Sequence, residues 1–138
     1  MATIKSYTNI EQSKRLAEIL PINTADCCYI KYCTSDNDEW RYEGQPPMFL
    51  GEIPITEITA EHIPCWSLVA LLNVIPKCID EFNVLRMDLD DNDFAIWYDE
   101  MGGKTNFGVN SKLPDITMAS PIDACVEMIL KLHEENLI

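Results

Sequence analysis

Cys65 is the residue whose neighbours best suit nucleophilic chemistry. It follows Pro64 at the head of an apolar stretch, so the sequence predicts a helix start there. The positive end of a helix dipole lowers a thiol pKa and favours the reactive thiolate. His62 lies three residues upstream and His133 is the second histidine; either could take the proton. A thiol enzyme also needs a group that orients its base and donors for an oxyanion. No spacing in the chain supplies them. The reading adopted for Cys65 is a small residue packing a helix start. A small thiol-dependent hydrolase using Cys65 and His62 is the alternative.

Metal chemistry has two candidates. Cys27, Cys28, Cys33, His62 and Cys65 are zinc-ligand types, but no Cys-x-x-Cys pair accompanies the His62-x-x-Cys65 spacing. Neighbouring Cys27 and Cys28 would point to opposite faces of a strand. The run Asp88-Leu89-Asp90-Asp91-Asn92-Asp93 resembles the opening of a calcium loop, with Asp99 at its twelfth position. Its sixth position, where glycine permits the sharp turn, is Asp93, and its flanks have strand character. An acidic hairpin turn is the expected structure. Gly102-Gly103-Lys104 is too short for a phosphate loop and lacks the strand-loop-helix setting. No catalytic residue, metal or cofactor is therefore assigned.

Binding chemistry is the stronger theme. Tyr29, Tyr32, Trp40, Tyr42 and Phe49 gather around the middle of the chain, and Trp97 and Tyr98 follow. Exposed Trp and Tyr are enriched at binding hot spots. Trp40, Tyr42 and Trp97 are the candidate contact residues. Between residues 80 and 100 eight carboxylates face one cation, Arg86. The whole chain of 138 residues carries a net charge of -13. Such a surface is repelled by phosphate backbones and anionic lipid. Nucleic acid and membrane are excluded as direct partners; a basic protein is the candidate partner, beside the plainer reading that the acidic surface keeps the chain in solution.

The N-terminus is polar and lacks the apolar core of a signal peptide. The longest apolar stretch, residues 68–75, contains Asn73 and is too short to span a bilayer. A cytoplasmic protein is expected. Its six cysteines then read as small apolar residues rather than a disulfide framework.

The elements that must position these groups follow from local pattern. Thr8-Asn9-Ile10-Glu11 fits a capping box, so a helix is expected over 9–20, ended by Pro21. Its apolar face would comprise Ile10, Ala17 and Leu20, flanked by Leu16 and Ile19. Residues 27–34 read as a strand, 35–39 as a polar loop, and 40–42 as an antiparallel partner. A break follows at 44–47, and 48–53 is a further short strand. A helix starting at Pro64, apolar nearly all round, should be buried and end at Pro76. Residues 84–89 and 93–98 form two strands around Asp90-Asp91-Asn92. After a turn at Gly102-Gly103, residues 105–109 would complete a meander. Ser120, Pro121 and Asp123 start the last helix. Its stripe is Ile122, Cys125, Val126, Ile129 and Leu132.

The expected fold is one α+β domain over residues 1–138. An antiparallel sheet of about four to five strands would carry three helices mainly on one face.

Three segments carry a resemblance. They are Ile4-Lys5-Ser6-Tyr7-Thr8 with Glu11-Gln12-Ser13, then residues 63–72 from Ile63-Pro64-Cys65-Trp66, and Asp123-Ala124-Cys125-Val126-Glu127-Met128-Ile129 running into Leu132-His133-Glu134. Together they resemble a family of small, uncharacterised single-domain proteins from gut bacteria and their mobile elements. The resemblance implies one domain and transfers no site residues. Combined with the acidic charge and the missing catalytic constellation, it points to a non-enzymatic interaction protein of inhibitor or immunity type. The alternatives are the thiol hydrolase above and a small-molecule-binding module.

Overall fold

The first helix shows how tertiary contacts shift a local signal. The computed structural model describes residues 5–30, 32–33, 40–41, 47–52, 62–100 and 113–138. Helix α1 spans Ile10–Ala17 and is capped by Asn9, not Thr8. The Asn9 side chain accepts from the Gln12 amide at 2.7 Å, and Gln12 Oε1 accepts from the Asn9 amide at 3.0 Å. Thr8 is used elsewhere: it is buried, its hydroxyl pairs with that of Ser13 at 2.7 Å, and it accepts from the Trp66 amide at 3.1 Å. The chain leaves helical geometry after Ala17 and passes through turns to a short 3-10 helix, Ile22–Thr24. Ser13 and Leu16 form the buried face, while Ala17 is exposed.

Strand β1, Cys27–Tyr29, is fully buried. The expected strand over 27–34 is split at Ile30: β2 is Tyr32–Cys33, and it pairs antiparallel with β3, Trp40–Arg41. Strand β4 is Met48–Phe49, followed by a 3-10 turn at Leu50–Glu52 rather than more strand. Strand β5, Ile63–Cys65, pairs antiparallel with β1, giving the order β4-β1-β5.

Pro64 therefore lies in a strand, not at a helix start. An edge strand tolerates proline because the missing amide faces away from the ladder, and β5 ends the strand order. Helix α2 is Leu68–Val74, begun by Ser67, whose side chain accepts from the Ala70 amide. Ala70 and Leu71 are buried, whereas Val69 and Asn73 are exposed, so α2 is half-covered rather than enclosed. Trp66 precedes the helix, fully buried, and its indole N–H donates to the Thr24 hydroxyl at 3.0 Å.

Beyond Pro76 come β6, Cys78–Ile79, β7, Asn83–Leu89, β8, Phe94–Glu100, and β9, Asp115–Met118. They form an antiparallel sheet in sequential order. The hairpin read from 84–89 and 93–98 is present, slightly longer than expected. The meander's third strand is β9. The expected strand at 105–109 and the turns at Gly102-Gly103 and 44–46 lie outside the described residues.

Helix α3, Pro121–Glu134, starts as its sequence dictates, with Ser120 accepting from the Asp123 amide at 3.3 Å. Ile122, Cys125, Val126, Ile129 and Leu132 are all buried. They pack with Leu16, Trp66, Leu71, Ile75, Ile96 and Ile116 in the main core. Each large side chain so buried stabilises the fold by about 1.5–3 kcal/mol.

Among the described residues the architecture is thus α+β, with three α-helices, two antiparallel sheets of three and four strands, and the two-stranded pairing of β2 with β3. The single sheet of four to five strands is replaced because α2 intervenes. Ser67 caps it directly after β5, and the chain beyond it pairs with β7. Among the described residues, no helix is long and apolar enough to cross a membrane.

The three segments quoted for the resemblance meet in space. Tyr7 bridges to Ser67, and Lys5 Nζ donates to Asp123 Oδ1 at 2.7 Å and to Gln12 Oε1 at 2.8 Å. Gln12 also donates to Asp123 Oδ1, at 2.7 Å.

Candidate functional site

Cys65 sits in β5 directly opposite Cys27 in β1, with no exposed surface. Helix α2 begins three residues later, at Leu68, so Cys65 is outside the first turn, where a helix dipole acts most strongly. Burial pushes the Cys65 thiol well above its ordinary range, and the neighbouring Cys27, Cys28 and Asp26 push it further. Burial, then Asp26, raises Cys27 to about 11. Burial raises Cys28 too, and takes Cys125 to about 12. Each of these shifts disfavours the thiolate, the reverse of what a nucleophile needs. His62 precedes β5 and is half-buried. Among the described residues no three His, Cys, Asp or Glu side chains converge on one point.

The acidic run is a hairpin turn. Asp90 Oδ1 accepts from the amides of Asn92 at 2.8 Å and Asp93 at 2.7 Å, and the Asp90 amide donates to the Asp93 carbonyl at 3.0 Å. Those backbone bonds hold the Asp90 carboxyl below its usual range. Asp99 lies along β8, opposite Val84, away from the turn.

Of the candidates Trp40, Tyr42 and Trp97, the side chain of Trp97 is described. Trp97 is half-buried in β8, on the face opposite Phe94, Ile96 and Tyr98. It stands between Arg86 of β7 and Asp115 of β9. Trp40 belongs to β3, and its side chain lies outside the described residues, as does all of Tyr42. Tyr29 and Tyr98 turn inward, donating to the carbonyls of Thr8 at 2.6 Å and Pro76 at 2.7 Å. An open groove of about 570 Å³ runs between Leu20, Asn23, Asn73 and Ile138. Among the described residues, no acidic or basic side chain lines it.

A different surface stands out once the register is drawn. Residues directly opposite on neighbouring strands share a face. Leu89 aligns with Phe94 and Met118, and Met87 aligns with Ile96 and Ile116. All six face the side on which α3 packs against β8 and β9. Ile96 is 0% exposed, but exposure reaches 36% at Met118, 47% at Met87 and 70% at Leu89. The helix covers the β8 and β9 side of this face and leaves the β7 end bare. Asp88, Asp90, Asp91 and Asp93 around it are exposed.

The same end of β7 carries backbone groups that no described strand takes up. The Leu85 amide donates to the Lys77 carbonyl at 2.9 Å, on the β6 side. Along an antiparallel strand, every second residue turns its N–H and C=O to the same side. Met87 and Leu89 therefore point theirs to that side, where β6 pairs with Asn83 and Val84. On that side no described strand pairs with β7 beyond that point, while β8 pairs with its other edge as far as Leu89.

Sequence reasoning found the strand but missed this surface. The alternation of Leu85, Met87 and Leu89 was the available signal, and it marks a face without saying what covers it. Compared with protein-family models, curated proteins and solved structures, the chain matches none.

Proposed function

We propose that this chain is a non-enzymatic, acidic protein-interaction domain of inhibitor or immunity type. It docks a basic partner on the bare β7 end of its four-stranded sheet. The observation that carries this reading is the row of core-facing residues that runs on past the helix into solvent. An apolar patch rimmed by polar residues is the usual form of a docking surface. The carboxylates around Leu89 would steer a basic partner and reject acidic ones. Methionine at positions 87 and 118 suits a surface that must adapt to its partner. Protonated, enclosed thiols fit a structural part for Cys27 and Cys65.

The test is differential capture from the native host. Tagged wild type and a Met87→Ser/Leu89→Ser variant are used as baits, and bound proteins are quantified by mass spectrometry. The wild type should retain a basic protein near stoichiometrically and release it in high salt. The variant should retain at least about tenfold less, the equivalent of ~1.4 kcal/mol. Equal capture by both baits would remove this face from the function.

A further inference from the structure

The next inference rests on that reading and concerns the form of the partner. We propose that the partner contributes an extended segment that adds as a strand to the free edge of β7, along residues 86–89. Its side chains would be apolar opposite Met87 and Leu89, basic opposite Asp88 and Asp90, and uncharged opposite Arg86.

Two independent observations meet here. The backbone groups of Met87 and Leu89 face the side of β7 that no described strand occupies beyond Val84. The side chains of the same two residues are exposed on the face shared with the core. An open strand edge is a template for another strand. In strand addition, main-chain hydrogen bonds give affinity and alternate side chains give specificity. An apolar residue opposite Leu89 would extend the row Leu89, Phe94, Met118 by one position. The intervening residue would emerge on the opposite face beside Asp88. A Lys or Arg there forms an opposite-charge cross-strand pair, and another would reach the carboxylates of Asp90 and Asp91.

A second copy of the chain fits this edge poorly. Antiparallel pairing centred on Met87 would set Leu89 of one copy against Leu85 of the other, whose amide already serves Lys77. The acidic turn of each copy would then run into β6 of its partner. Sliding outward to centre on Leu89 sets Asp88 against Asp90, and like charges directly opposite destabilise a sheet. Two chains of net charge -13 also repel at long range.

The test uses the isotopically labelled full chain and a synthetic alternating lysine–valine peptide, uncharged at the position opposite Arg86, at low salt, followed by NMR. Controls are an alternating glutamate–valine peptide and the lysine peptide N-methylated along its pairing edge. N-methylation keeps charge and side chains but removes the donors. The lysine peptide should shift residues 86–89 and the Asp90–Asp93 turn, and slow exchange of the Met87 and Leu89 amides by about tenfold or more. The glutamate and N-methylated peptides should not. Met87→Pro, which removes an outward amide that β8 does not use, should abolish binding, whereas Met87→Ala should weaken it only about threefold.

Equal binding of the N-methylated peptide would overturn strand addition while leaving the docking face intact. Shifts elsewhere, or none at millimolar lysine peptide, would overturn it as well. So would concentration-dependent protection of these amides in the protein alone, which would indicate self-pairing. Failure of the interaction reading itself is read separately, from equal partner capture by the Met87→Ser/Leu89→Ser bait.

Discussion

In the four-stranded sheet, Phe94, Ile96, Tyr98 and Ile116 face α3, and the contacts that hold it are overwhelmingly apolar. The three-stranded sheet is built differently. Its strands are two or three residues long, and it is held by a small apolar cluster, Tyr7 and Ile10 against Cys27, Tyr29, Ile63 and Cys65, together with buried hydrogen bonds. Thr8 receives the Trp66 amide, the Tyr29 hydroxyl donates to the Thr8 carbonyl, and Asp26 receives both the amide and the hydroxyl of Ser67. Apolar packing is lost in proportion to the volume removed. A buried polar joint fails when one partner goes, because the other is left without water or a substitute. The first sheet can therefore end in an uncovered margin without losing its core, whereas the second has little to spare.

The largest expected effect is on the apolar side. Ile129 is fully buried in α3, and Ile129→Ala should cost about 2–5 kcal/mol of unfolding free energy in urea. A loss below ~1 kcal/mol would mean that α3 is not the centre of the core.

Thr8→Val probes the polar side at nearly constant volume. It strips the partner from the Ser13 hydroxyl and the Trp66 amide, both buried. The expected cost is about 1–3 kcal/mol, and Thr8→Ser, which keeps the hydroxyl, should recover most of it. Equal loss in both variants would assign the effect to the methyl group and erase the contrast between the sheets.

A smaller effect is pH-dependent. Partial burial would raise the Asp123 carboxyl, but hydrogen bonds from Lys5 and Gln12 outweigh it and leave the value depressed. A carboxyl depressed in the folded state contributes stability above its unfolded value, near ~3.9, and loses it as pH falls through the lower folded value. The pair is partly exposed, at 27% and 33% for the two side chains, so screening limits it to under ~1 kcal/mol. Lys5→Met should lower the urea midpoint slightly at neutral pH and progressively less as the Asp123 carboxyl protonates in acid. A difference that persists in acid would make the contribution packing rather than charge.

The contrast between regions also governs what could be read from sequence. Helix α3 and the β7–β8 hairpin rest on repeating local signals, a 3.6-residue stripe and alternation around a turn. Both were legible. The N-terminal region depends on which distant segment claims a side chain. Thr8 fits a cap by spacing, yet Trp66 takes its hydroxyl, and the cap passes to Asn9. Pro64 suits a first helical turn and an edge strand alike; pairing with Cys28 decides for the strand. Cys65 then falls outside the helix turn whose dipole had recommended it. The bare β7 margin was hidden for another reason. Alternation assigns Met87 and Leu89 to a face, but their exposure depends on how far α3 reaches across the sheet.

The smallest stability effect belongs to Leu89→Ser, within ~0.5 kcal/mol because the side chain is largely solvated. The same residue lies at the centre of the docking surface, and hydrogen exchange of the captured complex tests that surface most directly. Binding should slow exchange in β7 at residues 86–89 and at Met118, and leave β1, β5 and α2 unchanged. Protection confined to the Trp97 face, or to the groove between Leu20 and Asn73, would contradict the account and move the interface to another side of the molecule.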